Sequence, residues 1–541
     1  MPSLSALALA FGIFLTAAFI SRRVKEKRRF IKDVRGPPSS SWLLGNELEI
    51  RHQSDVGDVD FQWMREYGTV WRTQTSYGGD NLYIADPKAL QYVLQTSGYH
   101  YPKNIAENFM NKMMMGRGLV SAIGDAHRRQ KKVMNPVFSS AQLRSFVPSF
   151  RQTAAKLSHK WTELLQAGDG TTEVELNVSS WLSRTTLDII CNAAFNHHVG
   201  ALDNEENELT KIFDNFFTKS SLYPPARDLL YKGLWKYVPA NLLDLLEYMP
   251  TRQDALRRKF LKLAKRIAKE LVDEKMCTVE KGSKDALSVL VRSNQSEDPK
   301  AQMDEDEMLS QMATLILAGH ETTASTMSWL LYELARHPED QQTMREEIAA
   351  FRRTIQARGG NDFGTSDFEA MPFTNAVIKE TLRLYPIAHN FNRYADRDDV
   401  IPLAQPVVLK TGKVASEIHI NKGQAITVSV VGYNRVPSVW GDDAHEWNPR
   451  RFLDTKEARQ TSVGVYANLA TFSAGIRACI GWRFAVFEMQ AVIVELVEKF
   501  ELKLPVVALD IQRAPAQSLV PLDRARPQDG AQMPLRVSLA H

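Results

Sequence analysis

The stretch from Phe472 to Ala485, FSAGIRACIGWRFA, places one cysteine where its sulfur could do chemistry. Cys479 lies between two glycines and follows an arginine by two residues, and a long apolar helix is predicted directly after it. Gly475 and Gly481 permit tight turns and a close approach to a flat ligand, and Arg477 can pair with a carboxylate. The first amides of the following helix would favour the thiolate over the thiol. An isolated cysteine is otherwise most often a small core residue, so the rest of the chain must decide.

A buried thiolate needs a cation, and haem iron also uses the electron density that a thiolate donates. The segment FSAGIRACIG resembles F-x-x-G-x-R-x-C-x-G, the haem-binding signature of the cytochrome P-450 superfamily. The resemblance implies that Cys479 is the axial iron ligand, with Gly475 and Gly481 beside the cofactor. It also implies that Arg477 pairs with a haem propionate and that Phe472 packs near the sulfur and tunes the potential of the iron.

A second motif, KETLRLYP, ends about 100 residues before the cysteine. Glu380 and Arg383 are three residues apart, so they share one face of a predicted helix and can form an ion pair. The motif is similar to the family's E-x-x-R, and Arg451 in WNPRRF would be its third, structural partner. Arg450 stands where the family often has a glutamate, which leaves this three-residue network intact.

The third motif, AGHETTAST, interrupts a long apolar helix predicted from Asp306 to Arg336. It resembles the family's [AG]-G-x-[DE]-T-[TS]. The resemblance implies a catalytic relay in which the Thr322 hydroxyl and ordered water deliver protons during oxygen activation, fed by Glu321. The alternative is that these small residues only allow two helices to pack closely.

Further basic residues occupy positions that the family uses to hold propionates. The segment GDAHRRQKKVMNPVF places His127 and Lys131 where a tryptophan and an arginine are common, and Arg393 lies where another arginine is frequent. The alternative for the first segment is a solvated basic face, which would also suit an acidic electron donor.

The N-terminus combines an apolar run with a basic segment. Residues 4–20 carry no charge and would form about 26 Å of helix, just enough to span a bilayer. Residues 21–35 contain eight basic and two acidic residues, so this segment has a net charge of +6. The whole chain has a net charge of +4, so the remaining residues sum to −2. Positive charge after the apolar run favours an uncleaved anchor with a cytosolic domain. A cleaved signal and an interfacial helix remain as alternatives, whereas a nucleic-acid-binding face is not indicated.

Most of the 541 residues have helical periodicity, so we expect a mainly α fold with a minor β component. The resemblance implies that this is the cytochrome P-450 fold. Strands are predicted in a hairpin over 69–87 and near 402–408, 425–431 and 533–540. The predicted organisation is a transmembrane signal anchor (1–21), a basic and proline-rich linker (22–45) and a haem-thiolate monooxygenase domain (46–541). Three cysteines without a C-x-x-C spacing argue against a disulfide framework and a zinc site.

The resemblance implies an enzyme that contains haem b and inserts one oxygen atom from O2 into a lipophilic organic substrate. NADPH would act only indirectly, through a separate flavoprotein reductase on the same membrane, that of the endoplasmic reticulum. Apolar, methionine-bearing segments such as 108–120 suit a bulky substrate, and the style of fungal relatives suggests a terpenoid or other secondary metabolite. Two alternatives are an isomerase or dehydratase of the same fold that does not use O2, and a membrane-tethered haem carrier or sensor.

Overall fold

The computed structural model describes residues 30–167, 172–203, 208–213, 216–238, 243, 252–278, 285–294, 302–453, 462–508 and 510–540. The predicted anchor and the first part of the predicted linker lie outside these ranges. Within the ranges, no helix combines the length and the apolarity needed to cross a bilayer. From Phe30 onward the predicted linker packs on the domain, with Ile31 and Val34 buried in the main core and the Arg72 amide donating to the Arg35 carbonyl at 2.9 Å.

The described part of the chain is mainly helical, as predicted. Its α-helices are α1 (Glu47–Arg51), α2 (Asp58–Tyr67), α3 (Pro87–Gln91), α4 (Ile105–Met115), α5 (Gly124–Met134), α6 (Ser140–Ala167), α7 (Val178–Phe195), α8 (Glu208–Phe213), α9 (Phe216–Ser221), α10 (Ala226–Leu234), α11 (Arg252–Thr278), α12 (Ala286–Asn294), α13 (Glu305–Arg336), α14 (Pro338–Ala357), α15 (Thr365–Ala370), α16 (Pro372–Leu384), α17 (Val430–Tyr433), α18 (Pro437–Trp440) and α19 (Trp482–Lys499).

Helix α13 runs through the core and is the long helix that the sequence predicts, extended by one residue at its start. Asp304 caps it by accepting from the Glu307 amide, and the Glu307 side chain closes a capping box. At His337 the helix ends, and Pro338 begins α14. Gly319 lies against Ile190 of α7, where an added Cβ would stand 2.8 Å from the isoleucine Cδ1. A small residue is therefore required for α13 and α7 to cross this closely.

The strands form small sheets beside the helices. They are β1 (Val70–Thr75), β2 (Gly79–Ile84), β3 (Glu173–Asn177), β4 (Asn390–Tyr394), β5 (Asp399–Val408), β6 (Val414–Ile420), β7 (Ala425–Ser429), β8 (Phe500–Lys503), β9 (Ile511–Pro515), β10 (Leu519–Asp523) and β11 (Pro534–Leu539). The largest sheet has the order β1-β2-β7-β4, with β2 and β7 parallel and the other pairs antiparallel. The predicted hairpin is therefore the edge of a four-stranded sheet.

One strand prediction is too long. Strand β7 ends at Ser429, whereas the alternation predicted extended chain to Val431. The Ser429 hydroxyl accepts from the Gly432 amide at 3.0 Å and donates to Asp60 at 2.6 Å. This side-chain cap starts the short helix α17, so local hydrogen bonding overrides the β-branched pattern of Val430 and Val431.

Candidate active site

Two short 3₁₀ turns, Ala470–Phe472 and Gly475–Arg477, lead the chain to Cys479, and α19 begins three residues later. The Cys479 amide donates to the Phe472 carbonyl at 2.8 Å, which closes the loop around the sulfur. Gly475 has φ +61°, and an added Cβ would lie 2.2 Å from the Leu94 carbonyl oxygen. Gly475 is therefore needed for the turn against Leu94. Gly481, in contrast, lines the same cavity as Cys479.

The Cys479 thiol faces a cavity, so its exposed surface belongs to that cavity's wall. Burial raises the pKa of the thiol, while the Gly481 amide and the Lys131 ammonium lower it in part. The helix-start amide thus acts on the sulfur as the sequence predicts, but burial outweighs it. A thiolate at this position requires a cation beyond those that the chain provides.

The cavity has a volume of about 1360 Å³. Typical sites for one small ligand measure roughly 300–1,000 Å³, so this space is large enough for a cofactor together with a substrate. Its wall includes Cys479, Phe472 and Thr322, and the methionine-bearing segment predicted for the pocket contributes Met110 and Met115.

Five basic side chains line one part of this cavity, which we call the proximal basic cluster. They are Lys103, His127, Lys131, Arg393 and Arg477. Four of them are predicted from the sequence. Lys103 is not, because it precedes α4 in a segment without a motif; its backbone forms a β-bridge with Arg393, a contact that only the tertiary fold creates.

Burial and mutual repulsion weaken the protonation of this cluster. Burial, with Arg393 and Arg477 nearby, lowers the pKa of Lys103 to about 7. Burial, with Lys103 and other cations, lowers the pKa of His127 to about 4, and burial lowers the pKa of Arg393 to about 10. Glu107 is the carboxylate that opposes these shifts at Lys103 and Arg393. Several buried positive charges close to one another are costly unless anionic groups bind between them.

The hydrogen bonds of the cluster leave donors available for such anions. Lys131 donates to the Ile476 carbonyl at 2.6 Å, Arg477 to the Gly98 carbonyl at 2.7 Å, and Arg393 to the Asn392 carbonyl at 2.9 Å. The Arg477 Nε and the His127 Nδ1 are buried without a hydrogen-bond partner among the described residues. Unpartnered donors beside a thiol fit an iron-containing ligand that carries two carboxylates, which is the chemistry of haem.

Thr322 of α13 lies in the cavity wall, and its hydroxyl donates to the Ala318 carbonyl at 2.7 Å. Glu321 lies outside the wall, because successive helical residues point about 100° apart. The structure thus brings Thr322, but not Glu321, to the space above the thiol.

One buried acid that the sequence analysis missed, Glu488, lies beside Thr323. Glu488 of α19 is fully buried, and neither of its carboxyl oxygens meets hydrogen-bond geometry with a described residue. Burial raises its pKa well above the ordinary value, and the Thr323 hydroxyl acts in the opposite direction. Burial therefore favours the protonated form of this carboxyl. Its place in an apolar helical pattern, nine residues after Cys479, is the only signal in the sequence.

The predicted ion-pair network behind the site is present and buried. Arg383 binds Glu380 with two nitrogens at 2.7 Å each, and Arg451 binds the same carboxylate at 3.2 Å. Arg451 also pairs with Asp443 at 2.8 Å, while Arg450 turns away to Asp340 at 2.7 Å. The network joins α16 to the segment that leads toward the cysteine loop.

Comparison with known proteins agrees with this geometry. The family model described as Cytochrome P450 matches residues 35–524. The chain belongs to the cytochrome P450 family. A relative named cytochrome P450 monooxygenase 128, from Postia placenta, is 33% identical over 94% of this chain and 92% of its own length. Cytochrome P450 monooxygenase claP, from Ampulloclitocybe clavipes, is 29% identical over 99% of this chain and 98% of its own length.

As a cytochrome P450 monooxygenase, the protein is an oxidoreductase that incorporates oxygen, and membership of the family implies a haem cofactor. The residues present fit that group: Cys479 would hold the iron, and the proximal basic cluster would hold the propionates. When bound, the haem supplies the redox chemistry of oxygen activation.

Proposed function

We propose that this P450 inserts one oxygen atom from O2 into a lipophilic organic substrate, with electrons from NADPH through a separate flavoprotein reductase. The observation that carries the proposal is the shared cavity of the Cys479 thiol, the Thr322 hydroxyl and the proximal basic cluster. The thiol would bind iron, the cluster would orient the macrocycle, and the apolar wall would exclude water from the substrate.

Thr322 is the residue that would handle protons. Its hydroxyl hydrogen is directed to the Ala318 carbonyl, so its lone pairs are free to accept from a water molecule in the cavity. A small rotation of the hydroxyl would then pass a proton toward the cavity. Glu321 lies outside the wall, so any feed from this carboxylate would have to pass through water.

We further propose a b-type haem, which is held by ligation and hydrogen bonds alone, because Cys479 is the one cavity-lining cysteine in the described chain. The apolar residues of the wall, including Met110 and Phe391, suit a terpenoid or another bulky secondary metabolite. The uncharged residues 4–20 and the basic segment after them support a single-pass anchor in the endoplasmic reticulum membrane, with the domain in the cytosol beside the reductase.

The test is reconstitution of the purified holoenzyme with a flavoprotein reductase, NADPH and isotopically labelled O2. Farnesol, abietic acid and hexadecanoic acid serve as lipophilic substrates. We expect product that carries one labelled oxygen atom for at least one of them. Product without label would instead support an isomerase or dehydratase, and absence of NADPH-dependent product from all three would support a haem carrier or sensor.

A further inference from the structure

The cavity contains a second group of basic side chains that the haem does not account for, which we call the distal basic cluster. Its members are Arg51 at the end of α1, Lys232 in α10, Arg257 in α11 and His389 just before β4. Helix α1 lies against α10, and the adjoining His52 ring is 2.9 Å from the Pro224 carbonyl oxygen. His389 precedes Arg393 of the proximal cluster by four residues, roughly 13 Å along an extended chain. The two clusters therefore occupy different parts of the wall.

Two members of the distal cluster have no hydrogen-bond or ion-pair partner among the described residues. Arg257 donates to Asp254 at 2.7 Å and to the Ser221 hydroxyl at 3.1 Å. In contrast, neither the Arg51 guanidinium nor the Lys232 ammonium has a hydrogen bond or an ion pair to any residue that the structure describes.

The carboxylates of the same stretch of wall are already engaged. Glu47 accepts from the Ser76 amide at 3.0 Å and from its hydroxyl at 2.7 Å. Asp80 accepts from Arg72 at 2.8 Å. Neither acid forms an ion pair with Arg51 or Lys232, whose donors are left for a ligand.

Lys232 lies close to other charged groups of this region. Burial, followed by Arg257 and Arg51, lowers the pKa of Lys232 to about 8, whereas Asp254 and Asp228 raise it. Lys232 is thus still mainly protonated at pH 7. Asp254 is bound by Arg257 at 2.7 Å and Asp228 lies 3.6 Å from Arg227, so neither acid forms an ion pair with Lys232 or Arg51. A cation without a paired anion in a largely buried site is stabilised best by a hydrogen-bonded anion.

We propose that the substrate is a lipophilic carboxylic acid whose carboxylate binds between Arg51 and Lys232. This proposal rests on the proposed monooxygenase function and names the substrate class. A carboxylate supplies the ion-pair partner that Arg51 and Lys232 lack among the described residues, and the planar fork of Arg51 can bind both of its oxygens. The apolar wall between the clusters then holds the hydrocarbon body. The carbon that is oxidised is then remote from the carboxylate, so the carboxylate binds the protein but takes no part in the oxidation.

The test is calorimetric titration of the holoenzyme with matched pairs of acid and methyl ester. The probes are dodecanoic acid, hexadecanoic acid and abietic acid, each with its methyl ester. For at least one pair we expect the acid to bind about 10- to 100-fold more tightly, the range given by a charge-assisted hydrogen bond. The preference should fall to nearly one in Arg51→Gln and in Lys232→Gln.

Two further variants separate recognition from folding. Arg227→Gln removes an exposed cation of the same helix, α10, and should keep the preference of the parent. Lys232→Arg keeps the positive charge and should retain most of the preference for the acid over the ester. Equal affinities for acid and ester in every pair, absence of acid binding in all three pairs, or a preference that survives both Arg51→Gln and Lys232→Gln would overturn the proposal.

The monooxygenase proposal is tested separately on the same preparation. Labelled product without any preference for acids would reject only the carboxylate site. Absence of NADPH-dependent product, with the acid preference intact, would reject only the monooxygenase.

Discussion

At the scale of single residues, the cavity wall combines one thiol, threonine hydroxyls of the long helix and two groups of basic side chains. Lys103, His127 and Arg393 of the proximal basic cluster have lowered pKa values because burial and nearby like charge both disfavour protonation. The thiol has a raised pKa for the corresponding reason, since burial disfavours its anion. An iron-containing dianion would relieve both effects, because it brings a cation to the sulfur and carboxylates to the bases.

The first prediction concerns Thr322. Thr322→Ala removes the only atom of this side chain that can accept a proton from water, so oxygen should be diverted to peroxide. We expect product per NADPH to fall by about tenfold or more, within the range that positioned proton donors contribute. The measurement is peroxide and product released per NADPH consumed, with Thr322→Ser as the control that keeps the hydroxyl. Unchanged product per NADPH in Thr322→Ala would remove Thr322 from the relay.

A second prediction follows from the buried Glu488. Its folded pKa is raised, so its contribution to stability is complete below the ordinary value of 4.5, where both folded and unfolded chains are protonated. As the pH rises above that value, the unfolded chain releases the proton while the folded chain keeps it. Stability is therefore lost with increasing pH, by up to about 1.4 kcal/mol per pH unit, until the folded pKa is reached.

Glu488→Gln should lack this loss. Its free energy of unfolding relative to the parent should become more favourable between pH 5 and pH 8, measured by urea titration at several pH values. The exposed Glu346→Gln serves as the control and should run parallel to the parent. A difference between Glu488→Gln and the parent that stays constant over this range would mean that the acid is ionised in the folded protein.

The sequence predicts the residues that carry a local motif and misses those that only the tertiary fold brings together. Cys479, Thr322 and Arg477 lie in recognisable spacings, and the structure places all three in one cavity. Lys103 and Glu488 have no such spacing, because their neighbours in space are remote in the chain. Glu321 shows a further limit, since a motif names adjacent residues but the helix directs them to different sides.

At the scale of elements, the cysteine loop depends on a backbone conformation that few residues adopt. Gly475→Ala should destabilise the protein by about 2–4 kcal/mol, because it combines a positive φ with a clash against the Leu94 carbonyl. The measurement is the free energy of unfolding together with haem retention. Gly412→Ala is the matched control: this glycine has φ +82° but open space around it, so it should cost only about 1 kcal/mol.

If Gly475→Ala behaved like Gly412→Ala, the close approach of the loop to Leu94 would not constrain the site. Strain at the left-handed φ would then explain the whole effect, and the loop could shift away from residue 94 without loss of the cofactor.

Elements whose ends carry strong local signals could be predicted closely. Helix α13 begins at an aspartate cap and ends before a proline, and its predicted bounds differ from the observed ones by one residue. Strand β7 is shorter than predicted because the Ser429 side chain caps the following short helix. The same hydroxyl donates to Asp60, and the alternating pattern of the sequence gives no sign of this contact. The joining of the predicted hairpin to β7 could not be foreseen, since their pairing spans more than 300 residues.

At the scale of the whole molecule, the Glu380–Arg383–Arg451 network holds α16 to the chain that precedes the cysteine loop. Glu380→Gln would leave the fully buried Arg383 without its counter-charge, and we expect a loss of about 3–5 kcal/mol in the free energy of unfolding. Asp125→Asn, which breaks an exposed ion pair with Arg128, should leave the free energy of unfolding nearly unchanged, because solvent screens this pair. Equal losses in the two variants would show that the buried network does not stabilise the fold.

The central claim is that Cys479 is the thiolate ligand of a haem in this cavity. Its most direct test is the absorbance spectrum of the purified, reduced protein exposed to carbon monoxide, recorded beside that of Cys479→Ala. We predict a strongly red-shifted Soret band in the parent that is absent from the variant. A band typical of histidine ligation in both proteins would contradict the assignment, and the monooxygenase mechanism built on the thiol would have to be abandoned.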